Sequence, residues 1–206
     1  MKKTIYTMLA SVTLTLAACN NQPVAEQTPV KKEIGVQLYS VRELIGNPEL
    51  FAKNQATVLP QLAQMGYTAI ETANYKDGKL YGMTPADFKA CIEKAGLKVL
   101  STHTTRGLSA EELKAGAPSE ETMKWWDECI AAHKAAGMKY IVTPSQRFPE
   151  TMKDLQTWCD YHNAIGKKCT EAGLKYGYHN HSFELKKVED KAVMLDFLKS
   201  VCEKEK

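Results

Sequence analysis

No C-x-x-C pair, no Gly-x-Gly-x-x-Gly loop and no clustered basic stripe occur in this sequence of 206 residues. Without paired cysteines a zinc ribbon is excluded. Without the glycine loop, the nucleotide-binding form of a doubly wound sheet loses its phosphate cradle. Lysine and arginine total 27 against 24 aspartates and glutamates, a net charge of +3 spread along the chain. Binding to a phosphate backbone needs those charges gathered on one face, so nucleic acid is not an expected partner. Setting Cys19 aside, Cys91, Cys129, Cys159, Cys169 and Cys202 form an odd set without framework spacing. They read as small apolar residues on buried helix faces, with room for a single disulfide in an oxidising compartment.

The N-terminus carries Met1-Lys2-Lys3, an apolar stretch from Thr4 to Leu16 and small residues before Cys19. That stretch is shorter than the ~20 residues that cross a bilayer core, so residues 1–18 read as a secretory leader rather than a permanent span. Leu16-Ala17-Ala18-Cys19 resembles a bacterial lipobox. It implies lipidation at Cys19 and attachment of the chain to a membrane of the bacterial cell envelope. Residues 19–32, with Pro23 and Pro29 and little apolar content, read as a flexible linker.

From residue 33 onward the chain repeats itself. Four times a helical pattern stops at a glycine and an apolar run begins: Gly66 before Tyr67–Glu71, Gly96 before Leu97–Leu100, Gly137 before Met138–Val142, and Gly173 before Leu174–Tyr178. Glycine suits the left-handed residue that ends a helix, and a short apolar run suits a strand covered on both faces. The spacing, roughly 30–40 residues, accommodates a strand, a loop and a helix. Leu155, Trp158, Cys159, His162, Ile165 and Cys169 recur at three- and four-residue steps and draw one buried stripe. Ser119 caps a helix whose buried face continues through Met123, Trp126 and Ile130, and Thr84-Pro85 opens another carrying Phe88 and Ile92. Pro60 is expected to kink the helix between about Pro48 and Met65. A final helix is expected from about Lys191 to Glu203.

With Ile34–Tyr39 the count reaches five strands, each followed by a helix, which means an α/β fold with a parallel sheet. A closed (β/α)8 barrel takes ~250 residues, and five of its eight units take roughly 156. The expected domain, residues 33–206, is therefore a partial (β/α)8 TIM barrel. Its open strand edges predict self-association.

In such folds ligands gather at the carboxyl ends of the strands. Here those ends are Gln37 and Tyr39, Glu71, Ser101-Thr102-His103, Thr143-Pro144-Ser145, and Tyr178-His179-Asn180-His181 followed by Glu184. Alternation along a strand sends His179 and His181 to one face and Asn180 to the other. Two imidazoles so spaced suit a shared metal ion, or polarisation of a carbonyl beside a proton shuttle. Glu71, His103, His181 and Glu184 are the candidate catalytic residues, and His179 with His181 the candidate metal ligands. His162 on the buried stripe and His133 near a helix end read as structural.

Ile34-Gly35-Val36-Gln37-Leu38-Tyr39-Ser40-Val41-Arg42, Met65-Gly66-Tyr67 through Glu71, Ser101-Thr102-His103 and above all Tyr178-His179-Asn180-His181-Ser182-Phe183-Glu184 resemble the sugar phosphate isomerase/epimerase family, with the xylose-isomerase-like TIM barrel. The resemblance implies a sugar isomerase or epimerase that moves a proton beside a carbonyl with a divalent metal, manganese first, or zinc or magnesium, as Lewis acid. His179 stands where that family usually places a glutamate ligand, and the remaining ligands are expected beyond Lys206. A lyase or hydratase of oxidised sugars shares the first step. A non-catalytic sugar-binding lipoprotein is the reading from outside enzymology. All three take a small-molecule sugar.

Overall fold

The computed structural model describes residues 33–201. The expected leader, Cys19 and the linker lie outside the described residues.

β1 (Gly35–Gln37) leads through a 3-10 turn into α1 (Arg42–Ile45) and α2 (Pro48–Gln64). β2 (Ala69–Thr72) is followed by a small hairpin, β3 (Tyr75–Lys76) with β4 (Lys79–Leu80), and by α3 (Pro85–Lys94). Next come β5 (Lys98–His103), α4 (Ala110–Ala115) and α5 (Glu120–Ala135), then β6 (Tyr140–Thr143) and α6 (Met152–Glu171). β7 (Lys175–Tyr178) precedes a second hairpin, β8 (Lys187–Val188) with β9 (Ala192–Val193), and α7 (Met194–Val201). Neither hairpin is legible in the apolar pattern, and β9 occupies the start of the segment where a longer last helix was expected, so that α7 begins at Met194.

β1, β2, β5, β6 and β7 pair in that order, every neighbour parallel, into the five-stranded sheet of a partial barrel. Each main helix starts where its sequence caps it. The side chain of Asn47 accepts from the backbone of Leu50, Thr84 from Asp87 and Ser119 from Thr122, and Ser109 and Thr151 close reciprocal capping boxes. α2 continues through Pro60. The carbonyl that loses its partner belongs to exposed Ala56, where water can take the bond.

Val36, Ile70 and Val99 turn outward and pack with Phe51, Leu59 and Leu62 of α2 and Phe88 and Ile92 of α3. Farther along, Ile141 packs with Trp126 and Ile130 of α5 and Trp158 and Ile165 of α6. The expected stripes of α5 and α6 are therefore the helix-side core. Cys129, Cys159 and Cys169 are buried on those helices and take part in no disulfide among the described residues.

The inner face of the sheet depends on one irregularity. Ile70 pairs with Val99, but Glu71 pairs with Ser101, so Leu100 is an extra residue in β5. Were β5 regular, Ser101 and His103 would share the outward face of Val99. The bulge reverses that parity. Thr102 turns outward to meet Thr72 (hydroxyl to hydroxyl, 2.7 Å), while Ser101 and His103 turn inward beside Glu71.

The four repeat glycines, Gly66, Gly96, Gly137 and Gly173, have φ of 96°, 81°, 82° and 80°. No atom lies within 4 Å of a Cβ built on Gly173, so its replacement tests backbone strain alone. Gly173→Ala is expected to cost about 1–2 kcal/mol in urea unfolding, with no change in the m-value.

Candidate functional site at the strand ends

Glu71 sits on the inner side at the end of β2 and is held from two neighbouring strands. Its Oε1 accepts from the Gln37 amide (2.6 Å) and from His103 Nε2 (3.1 Å), and its Oε2 accepts from the Ser101 hydroxyl (2.6 Å). The second amide hydrogen of Gln37 reaches His103 Nδ1 at 2.9 Å. With Nδ1 accepting, the network assigns the His103 proton to Nε2. Burial lowers the pKa of His103; Glu71 opposes this, and His179 and His181 add to it. His103 is accordingly a neutral imidazole at pH 7.

His179 and His181 follow β7 on the same inner side. The His179 ring centroid lies 5.0 Å from that of His103 and 4.9 Å from that of His181. Both are exposed, whereas Glu71 and His103 are half-buried. The structure thus brings Glu71, His103, His179 and His181 into one row at the carboxyl ends of three strands. Asn180 points the opposite way, as alternation requires, and lines a cavity of about 610 Å³ between α6 and α7. None of the four row residues lines that cavity.

Glu184 stands apart from the row. It was expected among the pocket-facing side chains, yet it is fully buried behind the loop, accepting from the Tyr178 hydroxyl (2.7 Å) and from the His181 backbone N–H (2.7 Å). The Tyr178 hydroxyl has its pKa raised by burial and then by Glu184.

His133 and His162, read from the sequence as structural, lie buried on helices away from the row. His133 is buried in α5, its Nδ1 at 2.6 Å from the Cys129 carbonyl. His162 lies between Gln146 Oε1 (2.5 Å) and the Tyr176 hydroxyl (2.8 Å). Burial pushes both imidazoles down to about 4.

A divalent metal takes several converging donors. Among the described residues no three His, Cys, Asp or Glu side chains are placed to hold one. Glu71 meets three protein donors, two at Oε1 and one at Oε2, so Oε2 keeps one open lone pair in addition to the imidazoles of His179 and His181. The donors described here do not by themselves make up the expected metal site.

Residues 59–202 match the xylose isomerase-like TIM barrel family. Two crystal structures from Parabacteroides distasonis ATCC 8503, each described as a sugar phosphate isomerase/epimerase, are 25% and 27% identical to the chain, both with a TM-score of 0.70. Those alignments cover 87% and 84% of this chain but 64% and 66% of theirs, so the chain spans about two thirds of their length. A D-psicose 3-epimerase crystallised in the presence of D-fructose shares the fold at 14% identity and a TM-score of 0.50, over 81% of this chain and 60% of that one. No curated protein matches significantly. Since the family match covers well over half of the sequence and includes four of the five strand-helix repeats that build the sheet, the chain belongs to the xylose isomerase-like TIM barrel family.

Proposed function

We propose that the chain acts as a sugar isomerase or epimerase that transfers a proton at a carbon next to a carbonyl. The observation that carries this reading is the inward row of Glu71, His103, His179 and His181, with Gln37 and Ser101 holding the carboxylate from either side. A proton beside a carbonyl is weakly acidic, and its removal needs a positioned base together with donors at the oxygen where charge develops. Glu71 is the base in this reading. The C–H bond breaks, its proton passes to Glu71, and its electron pair becomes the enediolate. His179 and His181, open to solvent, face the sugar oxygens. Return of the proton from Glu71 to the neighbouring carbon, with the hydroxyl proton passing from one oxygen to the other, isomerises the sugar; epimerisation takes a proton from water on the opposite face of the same carbon, and Glu71 then releases its own proton to solvent.

The test is hydrogen exchange. The purified protein is incubated in D2O with a panel of ketoses and ketose phosphates, with and without manganese, and carbon-bound protons are followed by NMR. Site-specific loss faster than in buffer supports the reading. Saturable sugar binding without exchange would replace it with the sugar-binding lipoprotein, and elimination of water would replace it with the lyase.

The place of the protein in the cell enters the same proposal. The lysines, apolar stretch and small residues before Cys19 support attachment to the cell envelope through lipid. Labelling with radioactive palmitate is expected to mark the wild-type chain and not Cys19→Ser. The two outer strands, β1 and β7, each have one partner among the described residues. Exposed edges of this kind support association of copies, and light scattering during gel filtration is expected to report a mass above 23.0 kDa.

A further inference from the structure

Glu184 is a carboxylate with 0% exposure whose two close donors are both uncharged groups. A carboxylate is costly to bury, and the cost is offset only when its oxygens accept well-placed hydrogen bonds. Both bonds here come from the chain that carries the imidazoles. The Tyr178 hydroxyl at the end of β7 reaches Oε1 and the backbone N–H of His181 reaches Oε2, each at 2.7 Å. Glu184 itself lies in the short 3-10 turn Phe183–Leu185. Residues 178–184 are thereby closed into a ring, with His179 and His181 on its rim.

The same turn holds the ring of His181. Phe183 stacks on it with centroids 6.0 Å apart and planes 12° apart, and Phe148 meets Phe183 edge-on at 6.5 Å. His181 is thus fixed through its backbone by Glu184 and through its ring by Phe183. His179, covalently between Tyr178 and His181, meets both His181 and His103 at about 5 Å.

We propose that Glu184, acting with Tyr178, is a positioning residue: it locks the loop so that the imidazoles of His179 and His181 stand in line with His103. The proposal rests on the functional reading above for what the line does, but not for whether the lock exists.

The test uses no sugar. In the full chain, 13Cε1–1Hε1 correlations of the histidine rings are recorded at one pH near 7.5 for the wild type, Glu184→Gln, Tyr178→Phe and the double variant, together with each thermal midpoint. Glutamine keeps one acceptor oxygen and cannot satisfy both donors. The His179 and His181 signals are expected to move by several linewidths in Glu184→Gln, while His133, far away in α5, stays in place. Tyr178→Phe is expected to move the same two signals less, and the double variant no further than Glu184→Gln. Unmoved His179 and His181 signals in a folded Glu184→Gln protein would overturn the proposal, whatever the midpoint does. Additive shifts in the double variant would also overturn it, since Tyr178 would then act independently of Glu184. A lock found intact in a protein without proton exchange would remove the functional reading and leave the positioning role standing.

Discussion

Replacing Glu71 by glutamine is expected to lower the rate of carbon-bound hydrogen exchange by ~10²–10⁴-fold, the usual contribution of a positioned general base. The same substitution should shift stability by less than about 1 kcal/mol, and the reason is local. The glutamine oxygen can take the place of Oε1 and accept from Gln37 and His103. Its amide then faces the Ser101 hydroxyl, which rotates from donor to acceptor. Shape and partners survive while the basic oxygen is lost. Glu71→Ala differs, because it leaves the Gln37 amide and His103 Nε2 without their acceptor, a loss worth ~1–3 kcal/mol. Deuterium wash-in and urea midpoints measured on both variants separate the two roles. Full exchange in a folded Glu71→Gln protein would show Glu71 to be a bridge between strands and not the base.

What the chain disclosed before folding, and what it withheld, follows from the range of each interaction. The repeat was legible because a helix stop is local. Gly66, Gly96, Gly137 and Gly173 announce left-handed residues within their own four-residue neighbourhoods, and every one has positive φ. The sides taken by His179 and Asn180 were legible because they continue the alternation of β7 just past its end at Tyr178, where the His179 N–H still donates to the Thr143 carbonyl. The partners of Glu71 were not. Gln37 and Ser101 could be named as polar strand tips, but their hydrogen bonds to Glu71 join residues 34 and 30 positions apart and depend on parallel register. Register in turn depends on the extra residue Leu100, and nothing in Lys98–His103 marks it as a bulge. Glu184 was misplaced for a related reason. In sequence it follows the last strand tip and belongs to the segment that carries the family resemblance, whereas the 3-10 turn folds it back beneath the tips, where its donors are.

Acidification is expected to weaken the fold in a window set by two side chains outside the row of Glu71, His103, His179 and His181. His133 and His162 are buried as neutral imidazoles, and burial pushes each from an ordinary value of 6.5 to about 4. The unfolded chain therefore binds protons at these sites at higher pH than the folded chain does, and stability falls as protons are supplied. The loss begins as pH drops through about 6.5 and is complete near pH 4. A displacement of that size corresponds to at most about 3 kcal/mol for each histidine, against the ~5–15 kcal/mol that holds a typical domain together. Buried Glu112 gives the contrasting window. Burial raises its pKa, but hydrogen bonds from Ser109 and Ser119 outweigh this and bring it down to about 2, so its stabilisation is lost only below about 4.5. Between pH 6.5 and 4.5 the histidines, with His103 adding in the same direction, set the slope. Urea midpoints across that range should fall steeply for the wild type. They should fall less for His162→Gln, which keeps a polar group between Gln146 and Tyr176 but has nothing to titrate. Equal slopes in the two proteins would mean that His162 becomes protonated without unfolding, through an opening of the α6 stripe toward the cavity that it helps to line.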